Sequence, residues 1–163
     1  MRVDEPWTIF QAKVEAEWID YNGHMNDAAY ATVFSRAVDV LMDRIHLDAA
    51  ERRATKRTLF TLQTMLHYFR EASLGQALSV SCHLLEHDEK RMRVWLEMRR
   101  RDDGERLAAS EQLLLSIDQG QTPTRAAPWP AETRAALEAL QKAQAGRAHP
   151  TEAGAGIALK RKS

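Results

Sequence analysis

The stretch Trp18–Tyr30 (WIDYNGHMNDAAY) gathers the side chains best suited to chemistry. Asp20 offers a carboxylate that can attack a carbonyl or activate a water. Gly23 lets the backbone pass close to a substrate. Asn26 is a favoured helix N-cap, and Asp27 puts an acid in the following first turn, where unpaired N–H groups carry positive potential. Amides of that kind polarise a carbonyl and hold a developing oxyanion. An Asx-rich turn that does no more than cap a helix accounts equally well for the same residues.

Other chemistries fare worse. His83 and His87 lie four apart in a segment that reads as a strand, roughly 13 Å from end to end and too far for one metal ion. Cys82 has no cysteine partner and falls on an apolar face, so it reads as core. There is no GxSxG elbow and no glycine-rich phosphate loop. Lys plus Arg and Asp plus Glu both number 23, so the formal net charge is zero. That balance argues against bulk attraction to nucleic acid. The 163 residues suit one domain, and the single cysteine fits a reducing, cytoplasmic setting. The start, MRVDEPWTIF, lacks a signal-peptide core, and no apolar run reaches membrane-spanning length.

The elements that must position the loop follow from periodicity. Thr8–Asp20 alternates, with Phe10, Ala12, Val14, Ala16 and Trp18 on one face, and predicts a half-buried strand. From Asp27 the period changes: Tyr30, Val33, Phe34, Ala37, Val38, Leu41 and Ile45 form a helical stripe ending near His46–Asp48. Ala49–Arg57 is a charged connector without a period. Four strands follow. Their expected core faces are Phe60, Leu62, Leu66 and Tyr68; Leu78, Val80, Cys82 and Leu84; Met92, Val94, Leu96 and Met98; and Leu107, Ala109, Leu113, Leu115 and Ile117. His87–Arg91 reads as a turn and Asp103–Gly104 as a hairpin tip. Residues 1–130 therefore predict an α+β domain, one long helix on a five-stranded antiparallel sheet. Residues 131–163 predict a C-terminal helix and a loose tail with a basic end.

Asp20, Gly23, His24, Asn26 and Tyr30 spell Asp-x-x-Gly-His-x-Asn-x-x-x-Tyr. This resembles the signature of hot-dog-fold acyl-CoA thioesterases of the 4-hydroxybenzoyl-CoA thioesterase type. The likeness runs in order through Tyr68–Ala72, Leu74-Gly75, Asp103-Gly104 and Arg125–Pro130, about residues 8 to 130. The longer strings WIDYNGHMNDAAYA, HYFREASLG and HDEKRMR are similar to the betainyl-CoA thioesterases of carnitine breakdown. The resemblance implies a hot-dog fold, hydrolysis of a short polar acyl-CoA without metal or cofactor, and a homodimer or homotetramer in the cytoplasm. It implies neither nucleic acid nor membrane as partner. Asp20 would be the catalytic acid, with His24 and Asn26 ordering the loop or touching substrate, and the Asn26–Ala28 amides binding the oxyanion. Trp18, Tyr21, Gly23, Asp27, Tyr30 and Tyr68 would contact substrate; rings suit a quaternary ammonium, Trp18 and Tyr21 flank Asp20, and the apolar face of its strand favours core packing for Trp18. Lys90, Arg91 and Arg93 would meet the CoA phosphates, with Arg99–Arg101 a lesser basic cluster. Asp39 is the candidate for a branch that carries its acid on the central helix, though a solvated helix-face charge explains it better. The alternatives are a thioesterase for aromatic or medium-chain acyl-CoA and a non-catalytic acyl-CoA-binding hot-dog protein.

Overall fold

The structure is a computed structural model and describes residues 6–159. Its main elements are β1 (Thr8–Lys13), α1 (Asp27–Arg44), α2 (Ala49–Thr55), β2 (Arg57–Tyr68), β3 (Ala77–His87), β4 (Arg91–Arg100), β5 (Arg106–Asp118), β6 (Arg125–Ala126) and α3 (Ala131–Gln144). The sheet is antiparallel in the order β1-β3-β4-β5-β2, and the short β6 pairs with the end of β5. The long helix α1 covers one face, with Tyr30, Val33, Phe34, Ala37, Val38 and Leu41 buried as the stripe predicts. The result is the expected α+β hot-dog arrangement with a C-terminal helix. Among the described residues, no helix is long and apolar enough to cross a membrane.

The first strand is shorter than its alternation suggests. It stops at Lys13, and Ala16–Trp18 wind into a single 3-10 turn that leaves Ala16 exposed and buries Trp18. The connector Ala49–Thr55 is a helix, started by Asp48, whose Oδ1 accepts the Glu51 N–H at 2.9 Å.

Two core faces also differ from expectation. Opposite residues of a ladder share a face, and β2 pairs Leu66 with Ser110, Thr64 with Gln112 and Thr61 with Leu114. Leu62 is the extra residue of a bulge, which shifts the parity of everything before it. Leu59 is therefore the buried residue at the start of β2, while Phe60 and Leu62 are 43% and 50% exposed. On β5 the helix-facing set is Ala108, Ser110, Gln112 and Leu114, not Ala109, Leu113 and Leu115. Polar residues sit under the helix because they satisfy one another: the Gln112 Nε2–H donates to Ser110 Oγ at 3.0 Å.

The C-terminal segment covers part of the outer face, where Ala153 packs against Leu85, Trp95 and Ala109. It is fastened to the outer sheet face as far as Gly154, beyond which Ile157 and Leu159 are exposed. Arg106 pairs with Glu152 at 2.6 Å, and the Gly154 N–H donates to Glu111 at 2.8 Å. The basic end, 160–163, lies outside the described residues. Both faces of β3 are consequently covered, and His83 is only 4% exposed. β1 pairs with β3 only as far as Ser81. Beyond that, Gln144 of α3 acts as the missing neighbour, accepting the Leu84 N–H at 2.9 Å and donating to the Cys82 carbonyl at 3.0 Å.

Two stability predictions follow from this packing. Gln144→Ala leaves two buried backbone groups without partners and should destabilise the fold by about 2 kcal/mol in urea unfolding; a loss under about 0.5 kcal/mol would refute the role. Burial, Arg147 and His149 lower the His83 pKa from 6.5 to about 4. Between these values the unfolded chain binds the proton and the folded one does not, so stability should fall as pH drops from 6.5 towards 4. In His83→Asn the urea midpoint should change less across that window; an unchanged slope would refute the assignment.

Candidate active site

The strand-to-helix loop is a tightly bonded turn. The Asp20 N–H donates to the His24 carbonyl, and the Gly23 N–H to the Asp20 carbonyl, each at 3.0 Å. Asp20 Oδ1 accepts the Asn22 N–H at 2.8 Å. Gly23 has φ +78°, a left-handed conformation that a side chain would strain. Asn26 joins this turn to the helix. Its backbone N–H and its Nδ2–H both donate to the Trp18 carbonyl, at 2.8 and 3.0 Å, while its Oδ1 accepts the Ala29 N–H at 3.0 Å.

The segment leaving β2 is fastened to the same place. The Met25 N–H donates to the Ala72 carbonyl at 2.9 Å. The buried Tyr30 hydroxyl accepts the Ala72 N–H at 3.0 Å and donates to the Arg70 carbonyl at 3.5 Å. The Tyr68 hydroxyl donates to the Asp27 carbonyl at 3.1 Å. The Tyr30 and Tyr68 rings meet edge to face, 5.3 Å apart at 87°. Together Met25, Asp27, Tyr30, Tyr68, Phe69, Arg70 and Glu71 line a cavity of about 320 Å³. Burial raises both phenol pKa values; Glu71 adds to the rise at Tyr30, against the Ala72 N–H, and Asp27 adds at Tyr68.

The structure thus brings Asp27, Tyr30 and Tyr68 into one cavity, with the turn carrying Asp20, Gly23, His24 and Asn26 adjoining it. Trp18 packs in the core with the Arg36 guanidinium 5.4 Å from its ring, and Tyr21 is 97% exposed; neither lines the cavity. Among the three amides expected for an oxyanion, that of Asn26 is engaged by Trp18. That of Ala28 faces Asp27 Oδ1 at 3.0 Å. The Asp27 N–H has no hydrogen-bond partner among the described residues.

The basic hairpin lies elsewhere. Tyr68 is opposite Ala108 and Arg91 is opposite Leu115, seven steps along β5, about 23 Å at the strand rise. Its guanidinium groups are also engaged: Arg91 with Asp88 at 2.5 Å, and Arg93 with Glu86 and Glu111 at 3.1 Å each. Arg91 holds the Asp88 carboxyl at about 2. Within one chain, Lys90, Arg91 and Arg93 therefore do not meet the loop. Arg99 and Arg100 are likewise paired, with Glu97 and Asp103. Asp39 lines a different groove, about 350 Å³ between α1 and β2. Cys82 is fully buried, its thiol pushed up to about 12, which suits a core residue and not a nucleophile. Sequence reasoning missed Met25, Phe69, Arg70 and Glu71; three of them sit in the string HYFREASLG beside Tyr68, which was the available signal.

Comparison with known proteins identifies the family and the fold. Residues 14–137 match the model of the thioesterase-like superfamily. The betainyl-CoA thioesterase of Pseudomonas aeruginosa is 41% identical over 149 residues, 91% of each chain. An L-carnitine dehydrogenase/betainyl-CoA thioesterase of Agrobacterium fabrum is 36% identical over 96% of this chain, which spans 31% of that longer protein. Among solved structures, a Staphylococcus aureus protein in complex with CoA superposes with a TM-score of 0.87 at 28% identity, covering 95% of this chain and 97% of that one. Signature, fold and relatives converge: the chain belongs to the thioesterase-like superfamily.

Proposed function

We propose that this protein hydrolyses the thioester of a short polar acyl-CoA, with betainyl-CoA as the substrate, giving glycine betaine and free CoA. The observation that carries the reading is the Asp20–Asn26 turn, locked onto the start of α1 beside a cavity. The 41% identity to a betainyl-CoA thioesterase supports the acyl group. The Asp27 amide, at the positive end of α1, holds the oxygen of the thioester carbonyl. Asp20 takes a proton from the attacking water, or attacks the carbonyl carbon itself to give a mixed anhydride whose acyl–oxygen bond water then cleaves, restoring the Asp20 carboxylate. The C–S bond breaks, CoA leaves as the thiol, and the oxygen of water ends in the carboxylate product. His24 and Asn26 keep the turn in place.

The functional unit in this reading is at least a homodimer, in the cytoplasm. β2 is a twelve-residue strand with a ladder partner on one side only, and Phe60, Leu62 and Tyr68 along it are 43–50% exposed. Such an edge calls for a partner, and a second copy could bring its own charges to a site that lacks its basic hairpin.

Asp20→Asn should cut thiol release from betainyl-CoA by at least about a hundredfold, read with a free-thiol reagent. Near-wild-type turnover would remove Asp20 from the chemistry. Aromatic and medium-chain acyl-CoAs should be poorer substrates, and binding without thiol release would identify a non-catalytic protein. Light scattering should show a dimer or tetramer that Phe60→Glu dissociates; a monomeric wild-type protein would defeat the dimer reading.

A further inference from the structure

We propose that Glu71 and Asp27, with the rings of Tyr30 and Tyr68, form the subsite that reads the positive charge of the acyl group. The proposal rests on the thioesterase reading and assigns its specificity to residues. A quaternary ammonium has no N–H to donate, so hydrogen bonds cannot select it. Ring faces and nearby carboxylates can. The cavity combines both kinds of group with the Met25 thioether. Its one lining cation, Arg70, is drawn to Glu105 at 3.4 Å.

The geometry fits a small cation. The Tyr30 and Tyr68 rings stand at 87°, so two ring planes meet at a corner. Both hydroxyls are held by backbone groups, Tyr68 by the Asp27 carbonyl and Tyr30 by Ala72 and Arg70, which fixes the rings before any ligand arrives. The carboxylate fields reach these rings: Glu71 raises the Tyr30 pKa and Asp27 that of Tyr68, in each case after burial. Position fits as well. In a betainyl thioester a single methylene separates the ammonium from the reacting carbonyl. Asp27 both opens α1, where the carbonyl oxygen would bind, and lines the cavity. An aromatic acyl group would use the rings but leave two carboxylates facing an apolar surface, at a cost in affinity.

The experiment compares betainyl-CoA with 3,3-dimethylbutanoyl-CoA, which has the same shape and no charge. The wild-type protein should favour the cation by more than tenfold in kcat/KM. Glu71→Gln should lower kcat/KM for betainyl-CoA about fivefold to tenfold, chiefly through KM, and leave the neutral thioester within twofold. Glu71 is exposed, so this variant should fold. Equal losses on both thioesters, or none on betainyl-CoA, would overturn the subsite. Calorimetric titration with glycine betaine separates this inference from the hydrolysis reading. Weaker binding to Glu71→Gln would sustain the cation subsite even if no thiol were released. Equal binding by wild-type and variant proteins would overturn it even if hydrolysis proceeded.

Discussion

One side chain, Asn26, joins the two halves of the site. Its amide nitrogen and its backbone N–H both hold the Trp18 carbonyl, while its oxygen caps α1. A single planar group thereby fixes where the loop ends and where the helix begins. The capping interaction is worth about 1 kcal/mol by itself. Its larger effect is geometric. It closes the Asp20–His24 turn against the helix end whose positive potential the proposed reaction uses.

The second constraint is that each sheet surface needs cover. α1 covers the inner face, and the segment after α3 covers much of the outer face through the Arg106–Glu152 and Glu111–Gly154 contacts. Of the two edges, β3 beyond Ser81 is satisfied by the Gln144 side chain, whereas β2 is left open. The charge balance shows the same economy. Arginines that look like phosphate ligands in sequence are tied to acids: Arg91 to Asp88, Arg93 to Glu86 and Glu111, Arg99 to Glu97. A neutral chain has thus gathered its charges into pairs on the sheet, while Glu71 and Asp27 remain beside the cavity.

Much of the fold was legible because it depends on local order. The stripe from Tyr30 to Leu41, the Asn26 cap and the Asp103–Gly104 tip each need only neighbours in sequence. The parity of β2 and β5 was not legible. The Leu62 bulge inserts one residue with no compositional mark, and the period of two then reports the wrong face. Leu113 and Leu115 misled for a related reason: β5 carries apolar residues on both faces, so they no longer identify the inner one.

The candidate site divides in the same way. Sequence alone determined the Asp20–Tyr30 signature, the capped helix behind it and the family likeness, because those residues are contiguous and their roles follow from backbone chemistry. Tertiary structure alone decided that Tyr21 stays outside the cavity, that Arg93 is neutralised by Glu111 of the neighbouring strand, and that Glu71 comes to the cavity that Asp27 lines. The meeting of Glu71 with Asp27 joins segments some forty residues apart, brought about by the return of β2 beside the start of α1. No local pattern encodes such a meeting, because it depends on ladder register and on which groups find partners first.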